Sequence, residues 1–307
     1  MRPFVLNQAI YHKENTMFER FIVATDLSPA SDAVVGCLAG LRVLGASHAL
    51  LLQCLDMQQA TSIALSYTTS VLDDYLARQK ARLEGQGFEV ETRIVPGFAK
   101  SEVNRIAREE DYGLVVVGSH GHSMLGEALL GGVASEVLHG AGQPILVMRL
   151  ERNKDTGEVC VLPAGCDLAA HVLFPTDFSE NADLAFTVVE NMAAAGTRRI
   201  TLMHVQDSAR LAPHLAQRLT EFDAIDHGRL EELKARLVAK GVADVDIELR
   251  AGKPFLEIVN VAKARGVHLV VMGSQGRGFV PELFLGSVSH EVARHANAPV
   301  LLVPVAR

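Results

Sequence analysis

The sequence predicts an α/β protein built from two Rossmann-like domains, each a mostly parallel five-stranded sheet with helices on both faces. Three observations carry that reading. Short apolar runs alternate with amphipathic stretches, a pattern that demands parallel strands joined by right-handed helical crossovers. The pattern is written twice: Phe21–Ser28 (FIVATDLS) matches Val172–Ser179 (VLFPTDFS), and Gly97 and Gly118 find counterparts in Gly252 and Gly273. A chain of 307 residues also suits two domains of about 150 residues each.

The elements follow in order, most clearly in the second copy. A strand near Val172–Pro175 leads through Asp177-Phe-Ser into a helix over Asn181–Ala194, and a strand follows at Ile200–Val205. A long charged helix around Leu215–Lys240 precedes the strand Val245–Leu249, and a helix over Phe255–Ala264 precedes the strand Leu269–Met272. A glycine-rich loop, a helix near Val288–His295 and the strand Val300–Val303 complete the unit. Four extra residues in the second copy separate the early matches from the later ones, where loops absorb insertions cheaply. The expected domains are 17–150 and 168–307. Between them Leu150–His171, rich in Gly, Pro and polar residues, reads as the linker.

Composition narrows the function. Hydrophobic residues make up 49% and charged residues 21%, with no Trp, so the cores are expected to be rich in Val, Leu, Ala and Ile. A net charge of −7 without a long basic block argues against a nucleic-acid partner. No apolar run approaches the roughly 20 residues that span a bilayer, so no membrane partner is expected. Cys37, Cys54, Cys160 and Cys166 are too few for a disulfide scaffold and point to a reducing cytoplasm. Met1–Thr16 is polar and irregular, unlike a signal peptide, and Met17 directly precedes the first strand.

The chemistry concentrates in two loops. Gly273–Ser287 (GSQGRGFVPELFLGS) follows an apolar strand and spaces its glycines as Gly-x2-Gly-x9-Gly-Ser. Gly118–Gly132 (GSHGHSMLGEALLGG) repeats the spacing but ends in Gly. Glycine lets a backbone approach phosphate closely, and a helix start offers N–H groups with partial positive charge. No Lys-Ser/Thr follows these glycines, so this is not a Walker A loop.

The order strand-Pro-Thr-Asp-x-Ser, a strand ending His-Val, then Val-Met-Gly-Ser-x-Gly-x9-Gly-Ser-Val and a Pro-Val-Leu-Leu-Val strand resembles the universal stress protein family in its tandem form. The resemblance covers the chain from about Met17 to Arg307. It implies ATP as the ligand, with Mg²⁺ a possible companion. In the second domain Asp177 would meet ribose or adenine, with Pro175 and Thr176 shaping the wall and the Val205 backbone at the adenine edge. Met272, Gly273, Ser274, Gly276 and Arg277 would cover the phosphates, and Gly286, Ser287, Val288 and Ser289 would cap them. The first domain keeps Asp26, Gly118, Gly121 and Gly131. Gly132 replaces the Ser, and Cys54-Leu55 is read opposite His204-Val205, so a weaker site is expected there. The resemblance also implies that the end strands Ile145–Met148 and Val300–Val303 pair the two domains as an internal pseudo-dimer, with a further homodimer beyond it.

Other readings weigh less. Asp26 and Asp177 could be helix caps, but Ser28 and Ser179 can take that role and leave the Asp to a ligand. His120 and His122 read as loop histidines rather than metal ligands, His204 as structural, and Arg229–Arg236 as a solvated helix face. Cys160, Cys166 and His171 lack the tight spacing of a zinc site. No nucleophile–base pair is evident, so no catalytic residue is assigned; slow ATP hydrolysis or autophosphorylation at Ser287 is the most the family pattern suggests. A carrier of a lipid-like ligand, with Met203, Met272 and Phe284 around an apolar pocket, is the alternative from another class.

Overall fold

A computed structural model describes residues 18–55, 68–120, 130–153, 155–163, 166–207, 219–276 and 285–305. Within them the chain divides into two compact units, the first ending at Cys166 and the second spanning Asp167–Val305.

In the first unit the elements are β1 (Arg20–Thr25), α1 (Pro29–Val35), a 3₁₀ turn at Ala39–Leu44, β2 (His48–Leu55), α2 (Thr68–Glu84), β3 (Glu89–Pro96), α3 (Ala99–Glu109), β4 (Leu114–Gly118), α4 (Gly132–Gly140) and β5 (Ile145–Met148). A short hairpin, β6 (Leu150–Arg152) and β7 (Val159–Val161), follows. The second unit runs β8 (Val172–Thr176), α5 (Glu180–Ala194), β9 (Arg199–Asp207), α6 (Leu219–Ala239), β10 (Asp244–Gly252), α7 (Pro254–Ala264), β11 (Leu269–Gly273), α8 (Ser287–His295) and β12 (Val300–Val303). The expected strands and helices are present, and among the described residues their ends shift by up to three residues, as helix and strand ends commonly do.

Each unit holds five parallel strands, in the order β3-β2-β1-β4-β5 and β10-β9-β8-β11-β12. Chain order reverses between β1 and β4, and between β8 and β11. Ligands of open α/β sheets bind at such reversals, beyond the carboxyl ends of the strands. The β8–β11 ladder pairs Val172 with Leu269 and Leu173 with Val270. Pro175, which has no N–H to donate, falls beyond those pairs, where the two strands part and a crevice opens.

Packing explains the alternation read from the sequence. β4, β5, β8, β11 and β12 are nearly continuous buried apolar runs, as strands covered on both faces must be. Among the helices α1 packs with α2 and α3 with α4, and likewise α5 with α6 and α7 with α8, giving one helix pair for each face. Phe174 and Phe186 are fully buried with ring centroids 5.2 Å apart, and Phe21 meets Phe88 edge-on at 5.1 Å. Each such ring contributes about 1.5–3 kcal/mol through burial. The outer strands β3 and β10 carry Glu89, Glu91 and Arg93, and Asp244, Asp246, Glu248 and Arg250, which blunt those edges against strand addition.

The repeated Thr-Asp-x-Ser has a local explanation. Thr25 and Thr176 Oγ1 accept the N–H of Leu27 and Phe178 at 3.0 and 2.9 Å. Asp26 and Asp177 Oδ1 accept the N–H of Ser28 and Ser179 at 3.0 and 3.1 Å. Ser28 and Ser179 then cap α1 and α5 through the N–H of Ser31 and Ala182. Three short polar side chains thus satisfy a turn whose middle residue is left-handed, φ 58° at Leu27 and 57° at Phe178. Removing a cap costs roughly 0.5–2 kcal/mol. Ser28 is buried, and its hydroxyl also donates to Asp26 at 2.6 Å. Ser28→Ala is therefore expected to lower stability in urea unfolding more than Ser179→Ala; an equal loss in the two variants would refute this.

Two features depart from the sequence reading. The segment after residue 150, read as linker, begins as a hairpin: Leu150 pairs with Val161 and Arg152 with Val159. Asn153 Oδ1 accepts the N–H of Asp155 and Thr156, turn chemistry native to Asn. The cysteines are not all free thiols either, since Cys37 and Cys166 are joined by a disulfide while Cys54 and Cys160 are free. No helix of the described residues is long and apolar enough to cross a membrane.

Candidate functional site

In the second unit the end of β8, the end of β9, the start of α8 and one face of α6 enclose a cavity of about 630 Å³. That lies inside the roughly 300–1,000 Å³ of small-molecule sites. Pro175, Thr176, Asp177, Val205, Met272, Gly273, Gly276, Gly286, Ser287 and Val288 all lie on its wall. Arg277 lies outside the described residues.

Two glycines hold the crevice at its width. A Cβ on Gly276 would come within 2.5 Å of Asp177 Oδ2, and one on Gly273 within 3.0 Å of the Asn181 side chain. The first contact is below any normal separation, so the loop meets the Asp turn only because residue 276 has no side chain. The Gly286 N–H donates to the Ser274 carbonyl at 2.7 Å, which fixes where α8 begins. Gly286 is the N-cap and supplies no side-chain cap to α8, and Gly286, Ser287 and Val288 line the cavity, so the positive end of the helix dipole lies at its wall.

Ser274 and Ser289 do not join that wall. Ser274 is buried, and its backbone N–H donates to the Val303 carbonyl. Ser289 Oγ donates to the Gly273 carbonyl at 2.8 Å, so its hydroxyl ties α8 to β11 instead of facing the cavity. The helical turn explains this: two residues past Ser287, the side chain points back toward the sheet.

α6 supplies a wall that the sequence did not reveal. Phe222, Ile225, Asp226 and Arg229 line the cavity, together with His204, Gln206 and Asp207 from β9. The Arg229 guanidinium lies 4.5 Å from the centroid of the Phe178 ring, and Phe178 lies 4.7 Å from the His204 ring. His204 Nδ1 donates to the Thr176 carbonyl at 2.7 Å, and its Nε2 lies 3.6 Å from Asp226 Oδ2, which also accepts from Gln206 at 3.0 Å. Arg229 and Arg236 are both exposed, as a solvated helix face requires, yet Arg229 lines the cavity and Arg236 pairs with Glu190.

The first unit has a smaller cavity of about 500 Å³ in the same place. Asp26, Gly118, Gly131 and Gly132 line it, as do His120, Gln53, Cys54, Phe98 and Glu136. Gly121 and His122 lie outside the described residues. The strand register corrects the pairing of Cys54-Leu55 with His204-Val205. Gln53 faces Thr25 as His204 faces Thr176, so Gln53-Cys54 occupies the equivalent place. Burial pushes the Cys54 thiol up to about 11, with Glu102 acting in the same direction. The first unit has no hydroxyl at the start of α4, where Gly132 and Val133 stand, and its wall carries the Asp26 and Glu136 carboxylates.

Comparison with known proteins decides the family. The model of the universal stress protein family matches residues 17–149 and again 169–304. The chain belongs to the universal stress protein family. A universal stress protein of Methanocaldococcus jannaschii is 31% identical over 150 residues, covering 43% of this chain and 93% of the relative. One from Mycolicibacterium smegmatis is 29% identical over 227 residues, 72% of this chain and 70% of its own length. The crystal structure of a universal stress protein from Archaeoglobus fulgidus shares the fold, with a TM-score of 0.71 at 22% identity over 94% of this chain and 98% of that one. The chain therefore carries two universal stress protein repeats, each with its own crevice at the strand reversal.

Proposed function

We propose that this universal stress protein is a stress-response regulator that binds ATP in its second unit. One observation carries the reading: the Asp177 turn, the end of β9 and the uncapped start of α8 converge on a single cavity. Asp177 can accept from ribose hydroxyls or the adenine amine, and the Val205 backbone, on the same cavity wall, would meet the base edge. The first N–H groups of α8, with the Ser287 hydroxyl, offer donors to phosphate oxygens. Gly276 allows that loop to close on Asp177. Among the described residues no cluster of three His, Cys, Asp or Glu side chains could hold a metal ion, so Mg²⁺ is expected to arrive with the phosphates.

The first unit is the weaker site in this reading. Its cavity wall has two carboxylates and no Lys or Arg among the described residues, and its helix starts with Gly132 in place of Ser287. Native mass spectrometry of the purified chain, backed by calorimetric titration, tests the proposal. One ATP per chain, lost in Asp177→Ala, is expected. Two ATP bound with equal affinity would defeat the asymmetry, and none after titration to millimolar ATP would defeat ATP binding itself. The lipid-like alternative gains little: Met272 lines the cavity, but Met203 is fully buried in β9 and Phe284 lies outside the described residues.

A further inference from the structure

We infer that Cys37 and Cys166 are a reversible dithiol–disulfide pair, a redox modification site that clamps the β6–β7 hairpin onto α1 beside the root of the first glycine loop. The two residues are 129 apart in sequence, yet their Cα atoms are 5.0 Å apart, within the 4.4–6.8 Å that a disulfide spans. Cys37 follows the C-terminal end of α1 and is only 7% exposed, whereas Cys166 is half-buried. A small thiol or disulfide can therefore reach the pair from the Cys166 side.

The backbone supplies a second, independent observation. Among the described residues four non-glycine residues have positive φ. Leu27 and Phe178 occupy the same Thr-Asp-x-Ser turn in the two units, and Asp111 occupies the turn between α3 and β4. Cys166 is the fourth, at φ 55°, in a conformation that a side chain rarely adopts unless something holds it. The Cys37 sulfur is that anchor.

What the clamp holds is the entrance to the glycine loop. β6 and β7 pack against α1. The Leu150 N–H donates to Ser119 Oγ at 3.0 Å, the residue after Gly118. A Cβ at Gly118 would meet Leu150 Cδ1 at 3.0 Å and Val34 of α1 at 3.2 Å. The hairpin, α1 and the loop root are one packed cluster, and the Cys37–Cys166 bond closes it covalently. The other cysteines are unlike this pair: Cys54 lies in the cavity wall, and Cys160 is exposed on β7 with its thiol directed to the Glu151 carbonyl.

The chemistry is thiol–disulfide exchange with a glutathione-type disulfide. The Cys166 thiolate attacks the small disulfide, forms a mixed disulfide and releases one thiol. The Cys37 thiolate then attacks Cys166 Sγ and releases the second, so two protein thiols and one disulfide become one protein disulfide and two small thiols. Excess reduced glutathione runs both steps backward.

The test uses the full chain equilibrated in glutathione buffers of varied ratio, quenched with N-ethylmaleimide and read by intact mass and non-reducing peptide mapping. Amide hydrogen exchange is then compared between the oxidised and reduced forms. Oxidising buffers are expected to lower maleimide uptake by two per chain, to yield a peptide cross-linking Cys37 to Cys166, and to be reversed by excess thiol. Exchange at the Leu150 amide is expected to slow by about tenfold or more in the oxidised form. Cys37→Ser and Cys166→Ser should each abolish both changes. Uptake that is the same in every buffer, a cross-link through Cys54 or Cys160, or a Leu150 rate unchanged by oxidation would overturn the inference. The exchange comparison on the unmutated chain stands even if a serine variant folds poorly.

Discussion

Gly276→Ala is expected to cost the second unit most of its ATP affinity while leaving the fold intact. The added methyl would lie 2.5 Å from Asp177 Oδ2. Its cheapest escape is rotation of the Asp177 carboxylate, but Oδ1 of that group already accepts the Ser179 N–H at 3.1 Å. Either the carboxylate swings out of its place in the cavity wall or the loop backs away from it. Small-to-large changes in tight places cost about 1–3 kcal/mol, which corresponds to roughly a five- to 150-fold loss in affinity. Because the strain falls on the crevice and not on the core, the melting temperature should move little. A folded Gly276→Ala protein that titrates with ATP as the parent does would show that the Asp177–Gly276 contact has no part in binding.

Gly132→Ser is expected to act in the opposite direction. Nothing lies within 4 Å of a Cβ built at Gly132, so the side chain is sterically free. The substitution places at the start of α4 the hydroxyl that Ser287 provides at the start of α8. A hydrogen bond to a charged group is worth about 1.5–3 kcal/mol, so ATP affinity in the first unit should rise about 10- to 150-fold. The gain should grow when Glu136, a carboxylate on the same wall, is changed to Gln. Calorimetry on a Gly276→Ala background isolates this effect. If Gly132→Ser leaves the first unit as it was, the missing hydroxyl does not account for the asymmetry between the units.

Both variants were conceivable from the sequence because spacing and repetition expose backbone needs. Gly273, Gly276 and Gly286 recur where a strand must turn into a helix, and buried runs such as Leu269–Met272 have no reading other than a covered strand. The caps at Ser28 and Ser179 were equally visible. Long-range placement was not. Arg229 is exposed, as its helix face predicts, but charges spaced along α6 give no hint that Phe178, held left-handed 51 residues earlier, lies beneath it. Ser289 carried the right atom one helical step too far round to reach the cavity. The equivalence of Gln53 with His204 needed the strand register, since a one-residue slip in an apolar strand leaves little mark on composition. The Cys37–Cys166 pairing joins residues 129 positions apart, and a single bridge among four cysteines could form in six ways.

The β6–β7 hairpin bears on how the protein can be taken apart. Cutting the gene after residue 150 would look natural, yet it would sever the Leu150–Val161 ladder and leave Cys37 without Cys166. An isolated first half made that way would present a bare apolar flank beside α1, and its solubility and ligand titrations would describe the wound. A cut after Cys166 keeps the hairpin, the bridge and the loop root together, and it is there that a single-repeat fragment should end.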